Sequence, residues 1–274
     1  MVIFKVAGRF NLNNFNLIII NYFTAAILGF SIGGFPDPGS FTGGLLLMAI
    51  IIGILFISLF FVIAASTQKA GIAVTSVASK MSVIIPIIFS IIFYHEELSV
   101  LKIFGFLIAL MAVYLTIYRD GSEDNSSFRR RVMIIPMVLF FGAGLIDSLI
   151  KYTQGSIIVN QDPIQFSSML FTISFICGIS SLPFRKAKLK RLTSYGTLFW
   201  GGMLGIVNFG SLYGIIRALD SEVFESSVIF GINNVSIVLL SVLIATIFFR
   251  EKLSIVNRIG IAMSIVSLVI LTVV

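Results

Sequence analysis

Long apolar runs, separated by short polar connections, recur along the whole 274-residue chain. A helix needs about 20 apolar residues to cross the roughly 30 Å hydrocarbon core of a bilayer. Runs of this kind predict membrane-spanning helices at residues 14–34, 43–66, 71–94, 99–118, 132–153, 163–183, 195–217, 223–249 and 254–273. The polar segment 119–131 is too short to fold alone, so it predicts a linker between the fourth and fifth runs.

The first ten residues, MVIFKVAGRF, predict a further helix that is too short to span, because ten helical residues rise only about 15 Å. The stretch Ile3 to Val6 aligns with Leu149 to Tyr152, which ends the helix at 132–153. We therefore expect an incomplete first helix, and we number the predicted helices 1 to 10. No cleavable signal peptide is expected at this end, because Lys5 and Arg9 break the apolar run.

One short pattern occurs twice, as FYHEELSVLKIFG at residues 93–105 and FFREKLSIVNRIG at residues 248–260. The two stretches align at an offset of 155 residues, and the shared positions include two glutamates, two leucines and two glycines. This repeat predicts two copies of a five-helix unit, at residues 1–118 and 132–274. Because five is an odd number, the second copy enters the membrane from the opposite side, which makes the repeat an inverted one.

The basic residues predict which way the chain crosses the membrane, since lysine and arginine concentrate in cytoplasmic loops. Most of the 19 lysines and arginines fall in the connections after odd-numbered helices. Segments 119–131 and 185–191 are therefore expected in the cytoplasm and the C-terminus outside. The sequence thus predicts a multi-pass protein of the cytoplasmic (inner) membrane.

Composition supports this interpretation and excludes several classes of protein. The chain is 58% hydrophobic, with a mean hydropathy of +1.08, whereas a soluble globule is only about half apolar. The net charge of +7 is explained by basic loops, so nucleic acid is not an expected partner. Cys177 is the single cysteine, and no phosphate loop or nucleophile elbow is present. We expect no cofactor, no metal site and no enzymatic activity.

Two longer stretches carry a resemblance to a known family. TSVASKMSVIIPIIFSIIFYHEELSVLKIFGFLIALMAVYL and SSVIFGINNVSIVLLSVLIATIFFREKLSIVNRIGIAMSIVSLVIL resemble the ends of the two EamA repeats of the drug/metabolite transporter superfamily. The matching positions are a loop glutamate, a leucine and an early glycine of the last helix: Glu96, Leu98 and Gly105, then Glu251, Leu253 and Gly260. The resemblance implies a ten-helix secondary transporter with a central cavity between its halves. The short helix 1 and the orientation expected here depart from the family's usual pattern.

Lys80 is the sharpest candidate for function, because an ammonium group at mid-bilayer costs about 2.5–3.5 kcal/mol even on a lenient scale. It follows Ser79, a further candidate for the substrate pathway, near the middle of predicted helix 4. Lys80 could be a counter-charge for an anionic or zwitterionic solute, or a proton carrier. The alternative is an ion pair that only orders the bundle. Asp147 in predicted helix 6 is its natural partner, unless that carboxylate lies near the interface and is hydrated.

Further polar side chains within predicted spans extend the candidate substrate pathway. Asn233 and Asn234 align with Ala78 and Ser79 at the 155-residue offset. Weaker candidates are Asn208, Tyr213 and Asn21. The alternative for all these residues is hydrogen bonding between helices, worth about 0.6 kcal/mol on average in membranes.

Other positions are expected to shape the bundle rather than to touch a solute. Pro86 removes a backbone hydrogen bond from predicted helix 4 and could act either as a hinge or as an inert kink. Glu96 and Glu251 lie at helix ends, where we expect them to cap helices. The pairs Gly29/Gly33 and Gly201/Gly205 have the spacing that lets helices approach closely.

The function favoured by these features is secondary transport of small organic metabolites by alternating access, with a site between the two repeats. A charged cavity favours a charged or zwitterionic solute such as an amino acid. Membrane lipid surrounds the protein, a proton is a candidate coupling ion, and the oligomeric state is open. The alternatives are an integral membrane enzyme acting on a lipid-linked substrate, a multidrug exporter of the same fold, and a channel or inert scaffold.

The predicted orientation can be tested by thiol labelling of intact cells. In a Cys177→Ser background, Lys188→Cys should react with an impermeant maleimide only after the cells are permeabilised, because basic loops stay in the cytoplasm. Val274→Cys, at the end expected outside, should react without permeabilisation. The reverse pattern of labelling would show that the orientation is wrong.

Overall fold

In the computed structural model, the structure describes residues 1–36, 43–94, 99–118, 126–156, 162–183, 192–221, 223 and 226–273. Within these residues the long regular elements are all α-helices. They are α1 (Val2–Arg9), α2 (Asn14–Gly33), α3 (Gly43–Lys69), α4 (Ile72–Met81), α5 (Ile84–Tyr94), α6 (Val100–Ile117), α7 (Ser126–Ser156), α8 (Pro163–Ser180), α9 (Tyr195–Asp220), α10 (Ser226–Ile247) and α11 (Ile255–Val273).

Eight segments among the described residues are long and apolar enough to cross a membrane. They are Asn14–Gly33, Gly43–Lys69, Ile72–Phe93, Val100–Ile117, Met133–Thr153, Pro163–Ser180, Tyr195–Leu219 and Ile255–Thr272. A shorter apolar stretch, Ile232–Ile247, belongs to α10. The prediction of an all-helical, multi-pass membrane protein is confirmed, whereas the count of ten helices stays a prediction.

The start of α7 differs from the boundary expected from hydropathy. This helix begins at Ser126, inside the predicted linker 119–131, and not at residue 132. Hydropathy marks the point where a helix becomes apolar, while the helix itself can begin earlier with polar residues. The part of the predicted linker from Ser126 onwards is therefore helical.

The predicted helix at 71–94 is interrupted at Ser82 and Val83, which separate α4 from α5. Pro86 has no backbone N–H, so it cannot donate to the carbonyl of Ser82 four residues earlier. The N–H of Ile85 donates to that carbonyl instead, at 2.9 Å. The local effect expected of Pro86 is confirmed, and movement about this point stays a prediction.

The chain forms two compact units. Unit 1 comprises Met1–Lys5, Val62–Ser148 and Glu222–Val274, and unit 2 comprises Val6–Phe61 and Leu149–Ser221. Each unit takes segments from both predicted repeats, so the repeats at 1–118 and 132–274 are not themselves the compact units. A sequence repeat relates chain segments and need not coincide with a packing unit, so this division does not test it.

In unit 1, α6 and α11 pack along one another in opposite directions. Gly105, near the start of α6, lies against Leu271 near the end of α11. Gly260, near the start of α11, lies against Thr116 near the end of α6. The hydroxyl of Ser267 donates to the carbonyl of Gly105 at 2.8 Å. Helices α4 and α10 pack against this pair.

In unit 2, α2 is the central helix, and α8 runs antiparallel to it. Gly29 lies against Ser168, and Gly33 lies against Ile164 at the other end of the contact. The side-chain amide of Gln165 donates to the carbonyl of Gly33 at 2.8 Å. The close approach predicted for this glycine pair is confirmed.

Helix α9 packs against α2 in the parallel direction. Gly201 lies against Ile20, and Gly205, one turn later, lies against Thr24. In both places a β-carbon on the glycine would overlap its neighbour. The second predicted glycine pair is therefore also confirmed as a point of close helix packing.

Gly260→Ala should destabilise the protein, because the new methyl group would overlap the backbone nitrogen of Thr116, which no side-chain rotation can relieve. We expect a loss of about 1–3 kcal/mol, the usual cost of overpacking, seen as a lower midpoint of thermal unfolding in detergent. Gly214→Ala is the matched control, since nothing lies within 4 Å of its new methyl group. It should raise stability by about 0.4–1 kcal/mol. Equal midpoints for the two variants would contradict the packing described above.

Candidate functional site

Lys80 occupies the last turn of α4, directly before the interruption in the predicted span. Its side chain is half-buried. A cation at a helix C-terminus is favoured by the helix dipole, so this position offsets part of the cost of the charge. The ammonium group is thus placed where the regular helix ends and the backbone changes direction.

Asp147 lies on α7, and the packing of α7 against α5 brings it towards Lys80. At Gly144 the absence of a side chain leaves room for Ile85, in the first turn of α5. Asp147 is one turn further along α7, and its charge interacts with that of Lys80. The structure therefore places both members of the expected pair in unit 1, although they belong to different predicted repeats.

Three more of the predicted site residues belong to the same unit. Ser79 is half-buried, and its carbonyl accepts a hydrogen bond from the hydroxyl of Ser82 at 2.6 Å. Asn233 and Asn234 are half-buried on α10, which packs against α4. The next residue, Val235, packs against the core cluster of unit 1 that also contains residues of α4.

The weaker candidates lie in unit 2 and form a separate set. Asn208 donates from Nδ2 to Oδ1 of Asn21 at 3.3 Å, which joins α9 to α2. Asn21 is fully buried, and its Nδ2 has no partner among the described residues. The hydroxyl of Tyr213 accepts a hydrogen bond from Nε of Arg217 at 3.0 Å. For Asn21 and Asn208 the structure shows the interhelical bond that was the alternative to a solute contact.

Glu251 caps a helix, as predicted, but the helix is one that the sequence did not indicate. Both of its carboxylate oxygens accept from the backbone N–H of Ile72, at 3.0 Å each, at the start of α4. The ammonium group of Lys5 lies 2.9 Å from Oε1. Gly71 adjoins the carboxylate with φ at +105°, a conformation that favours glycine. Glu96, the equivalent residue in the other repeat, lies outside the described residues.

Lys5 was not among the residues singled out for function, although it joins three elements. Besides Glu251 it contacts the carbonyl of Thr67 near the end of α3, at 3.4 Å. Gln68 strengthens the same junction by donating to the carbonyl of Phe4 at 3.3 Å. The only sequence signal for Lys5 is its alignment with Lys151, and that signal does not indicate a partner.

The chemistry that these positions offer is charge pairing and hydrogen bonding. In the part of the chain that the structure describes, no three His, Cys, Asp or Glu side chains are grouped so that they could hold a metal ion.

Comparison with known proteins finds a related sequence in Haemophilus influenzae. An uncharacterized protein of Haemophilus influenzae is 26% identical to this chain over 215 residues, which is 78% of this chain and 71% of that protein. No protein-family model matches the chain. The resemblance to EamA repeats therefore stays an expectation.

A double-mutant cycle would measure the coupling between Lys80 and Asp147. Removing either charge should lower the free energy of unfolding, because the other charge loses its partner inside a membrane span. The double variant Lys80→Ala/Asp147→Ala should then lose less than the two single variants together, with a coupling of about 0.5–3 kcal/mol. Lys80→Ala combined with Asn208→Ala, in unit 2, is the control and should be additive. Additivity in both cycles would show that the two charges are not coupled.

Proposed function

We propose that this protein is a secondary transporter of small organic solutes, built as an inverted repeat of the EamA type and working by alternating access. The observation that carries the proposal is the charged pair of Lys80 and Asp147 at an interrupted membrane-spanning helix. Transporters with inverted repeats place their sites at such discontinuous helices near the middle of the bilayer.

The pattern of contacts in unit 1 supports the inverted repeat. At the 155-residue offset of the sequence repeat, Gly105 is equivalent to Gly260, and Thr116 is equivalent to Leu271. The contact of Gly105 with Leu271 therefore has the contact of Gly260 with Thr116 as its counterpart. Such reciprocity is expected when two copies are related by a two-fold axis.

Unit 2 supports the same proposal independently. Gly29 lies against Ser168, and Gly178 lies against Ile19. Both glycines and both of their partners are related by a single offset of 149 residues. Because α2 and α8 run antiparallel, this reciprocity also fits two copies of opposite orientation.

The exposure of Asp147 supports a hydrated site. Its side chain is exposed on a helix that is apolar and long enough to span a membrane. A carboxylate that faced acyl chains would be costly, whereas charged groups within membrane spans usually face a water-filled cavity. We infer that Asp147 and Lys80 line such a cavity.

The pairing of opposite charges favours a zwitterionic solute such as an amino acid. Lys80 would bind the carboxylate of the solute, and Asp147 would bind its ammonium group. Asn233 and Asn234 could add hydrogen bonds from α10. With no nucleotide-binding motif in the sequence, the energy for transport would come from a gradient of solute or protons.

An exporter of apolar compounds is the second candidate, and one feature of unit 2 favours it. A cavity of about 360 Å³ lies between α2 and α8. Its lining includes Phe23, Phe30, Phe35 and Phe175. The polar side chains in the lining, Ser31 and Thr172, both bond to carbonyls of their own helices, so the cavity offers little to a charged solute.

Proteoliposomes that contain the purified protein would test the proposal. A screen of metabolites by thermal stabilisation should first identify zwitterions that raise the unfolding midpoint. The best of these should show saturable counterflow, and Lys80→Ala should lower the rate at least about tenfold, which corresponds to about 1.4 kcal/mol. Lys102→Ala, on α6, is the matched control and should retain counterflow.

Other outcomes would separate the alternatives. A linear leak would indicate a pore, chemical change of a lipid-linked substrate would indicate an enzyme, and stabilisation by apolar compounds alone would favour the exporter. Counterflow that is the same in Lys80→Ala as in the parent would contradict the proposed site.

A further inference from the structure

We propose that Glu251 and Lys5 are positioning residues that hold α4 in place and thereby set the position of Lys80 at its other end. The inference rests on the proposed function only in taking Lys80 as a solute-binding group. The contacts that carry it all lie within unit 1.

The N-terminus of α4 depends on a side chain that is distant in sequence. The first N–H groups of a helix have no partner within the helix. Here the N–H of Ile72 donates to both oxygens of Glu251, and the N–H of Ala73 lies 3.5 Å from Oε2. Gly71, at the N-cap position, has no side chain that could take over this role. The carboxylate of Glu251 is therefore the partner of the first N–H group of α4, beside the hydrogen bond between the Thr75 and Ser66 hydroxyls that ties this turn to α3.

Lys5, on α1, links the carboxylate of Glu251 to α3. The side chains of Lys5 and Glu251 are 26% and 12% exposed, so their ion pair is largely shielded from water. The same ammonium group contacts the carbonyl of Thr67 at the end of α3. Without Lys5 the carboxylate would keep its backbone donors but would lose its counter-charge in a poorly hydrated place.

Helix α4 can transmit a displacement from its start to Lys80. It has ten residues, and its first seven are buried, so it is packed on all sides over most of its length. It is also bounded by non-helical residues at both ends, Gly71 before it and Ser82 and Val83 after it. A short rigid segment between two such points moves as one body, so a shift of its start moves Lys80 relative to Asp147.

The charges near the two ends of α4 have the signs that the helix dipole favours. Glu251 is an anion at the N-terminus, and Lys80 is a cation at the C-terminus, so both interact favourably with the helix dipole. Glu251 forms an ion pair with Lys5, and the charge of Asp147 lies near enough to Lys80 to influence it. Opposite charges are therefore found near both ends of one helix of ten residues.

Three substitutions disturb the contact of Glu251 with α4 by different chemistry, which separates positioning from the loss of a single charge. Glu251→Gln removes the anion, Lys5→Met removes its counter-charge, and Gly71→Ala places a methyl group against the carboxylate without changing any charge. Lys5→Arg keeps the ion pair and is the conservative control.

The readout is the rate at which a maleimide alkylates a cysteine beside Lys80. In a Cys177→Ser background, Ser79→Cys reports on α4, and Thr172→Cys, equally half-buried but on α8, reports on general loosening. The three disturbing substitutions should each change the rate at Ser79→Cys about tenfold, since a hydrogen bond to a charged group contributes roughly 1.5–3 kcal/mol. Lys5→Arg should leave that rate near the parent value, and the rate at Thr172→Cys should stay unchanged in all four variants.

Two results would overturn the proposal. Equal changes at both cysteines would mean that the protein loosens as a whole, and a lower unfolding midpoint with no change at Ser79→Cys would mean that Glu251 is only a helix cap. The labelling needs no solute, so the selective change at Ser79→Cys would support positioning even if no counterflow were found. Where counterflow is found, Glu251→Gln should raise the KM for the solute more than it lowers the maximal rate.

Discussion

The structure depends on one constraint, which is that backbone N–H and C=O groups within a bilayer must be satisfied by the protein itself. Eight described segments meet it by being helical over a length that can span. The regular helical pattern of backbone hydrogen bonds is interrupted between α3 and α5, at Gly71 and at Ser82. At Gly71 the helix start is completed by Glu251, and at Ser82 the carbonyl accepts from Ile85 rather than from Pro86. The first place is completed by the charged side chain of Glu251, and the second lies two residues after Lys80.

Close approach between helices is achieved in the same way in both units. Glycines face the side chains and backbone of the neighbouring helix, because lipid provides no hydrophobic drive for association and packing must supply it. Gly105 and Gly260 do this between α6 and α11, and Gly29 and Gly178 do it between α2 and α8. The reciprocal pattern of these contacts is a stronger argument for related halves than the loose sequence motif. It relates the residues that the glycines contact as well as the glycines themselves.

Opposite charges lie near both ends of α4. Asp147 is near enough to influence the charge of Lys80 at the C-terminal end, and Lys5 forms an ion pair with Glu251 at the N-terminal end. Charges within membrane spans are expensive, so the exposed side chain of Asp147 is one of the observations on which the proposed wet cavity rests. The amides of Asn21 and Asn208 show the contrasting case, since they bond to each other between helices of unit 2.

The sequence alone determined the helical class, the approximate position of eight spans, the loss of a backbone hydrogen bond at Pro86 and the glycines of close contact. These features follow from local composition and spacing. The length of an apolar run, a missing N–H and a missing side chain each affect the structure at their own position in the chain. Only the tertiary structure decided that Asp147 and Lys80 belong to one compact unit, and that Glu251 reaches the start of α4 and the ammonium group of Lys5. It also decided that the compact units cut across the repeats. The physical reason is that the partner of a polar group in a helical bundle depends on which helix faces pack together, and that fit is made between residues far apart in the chain.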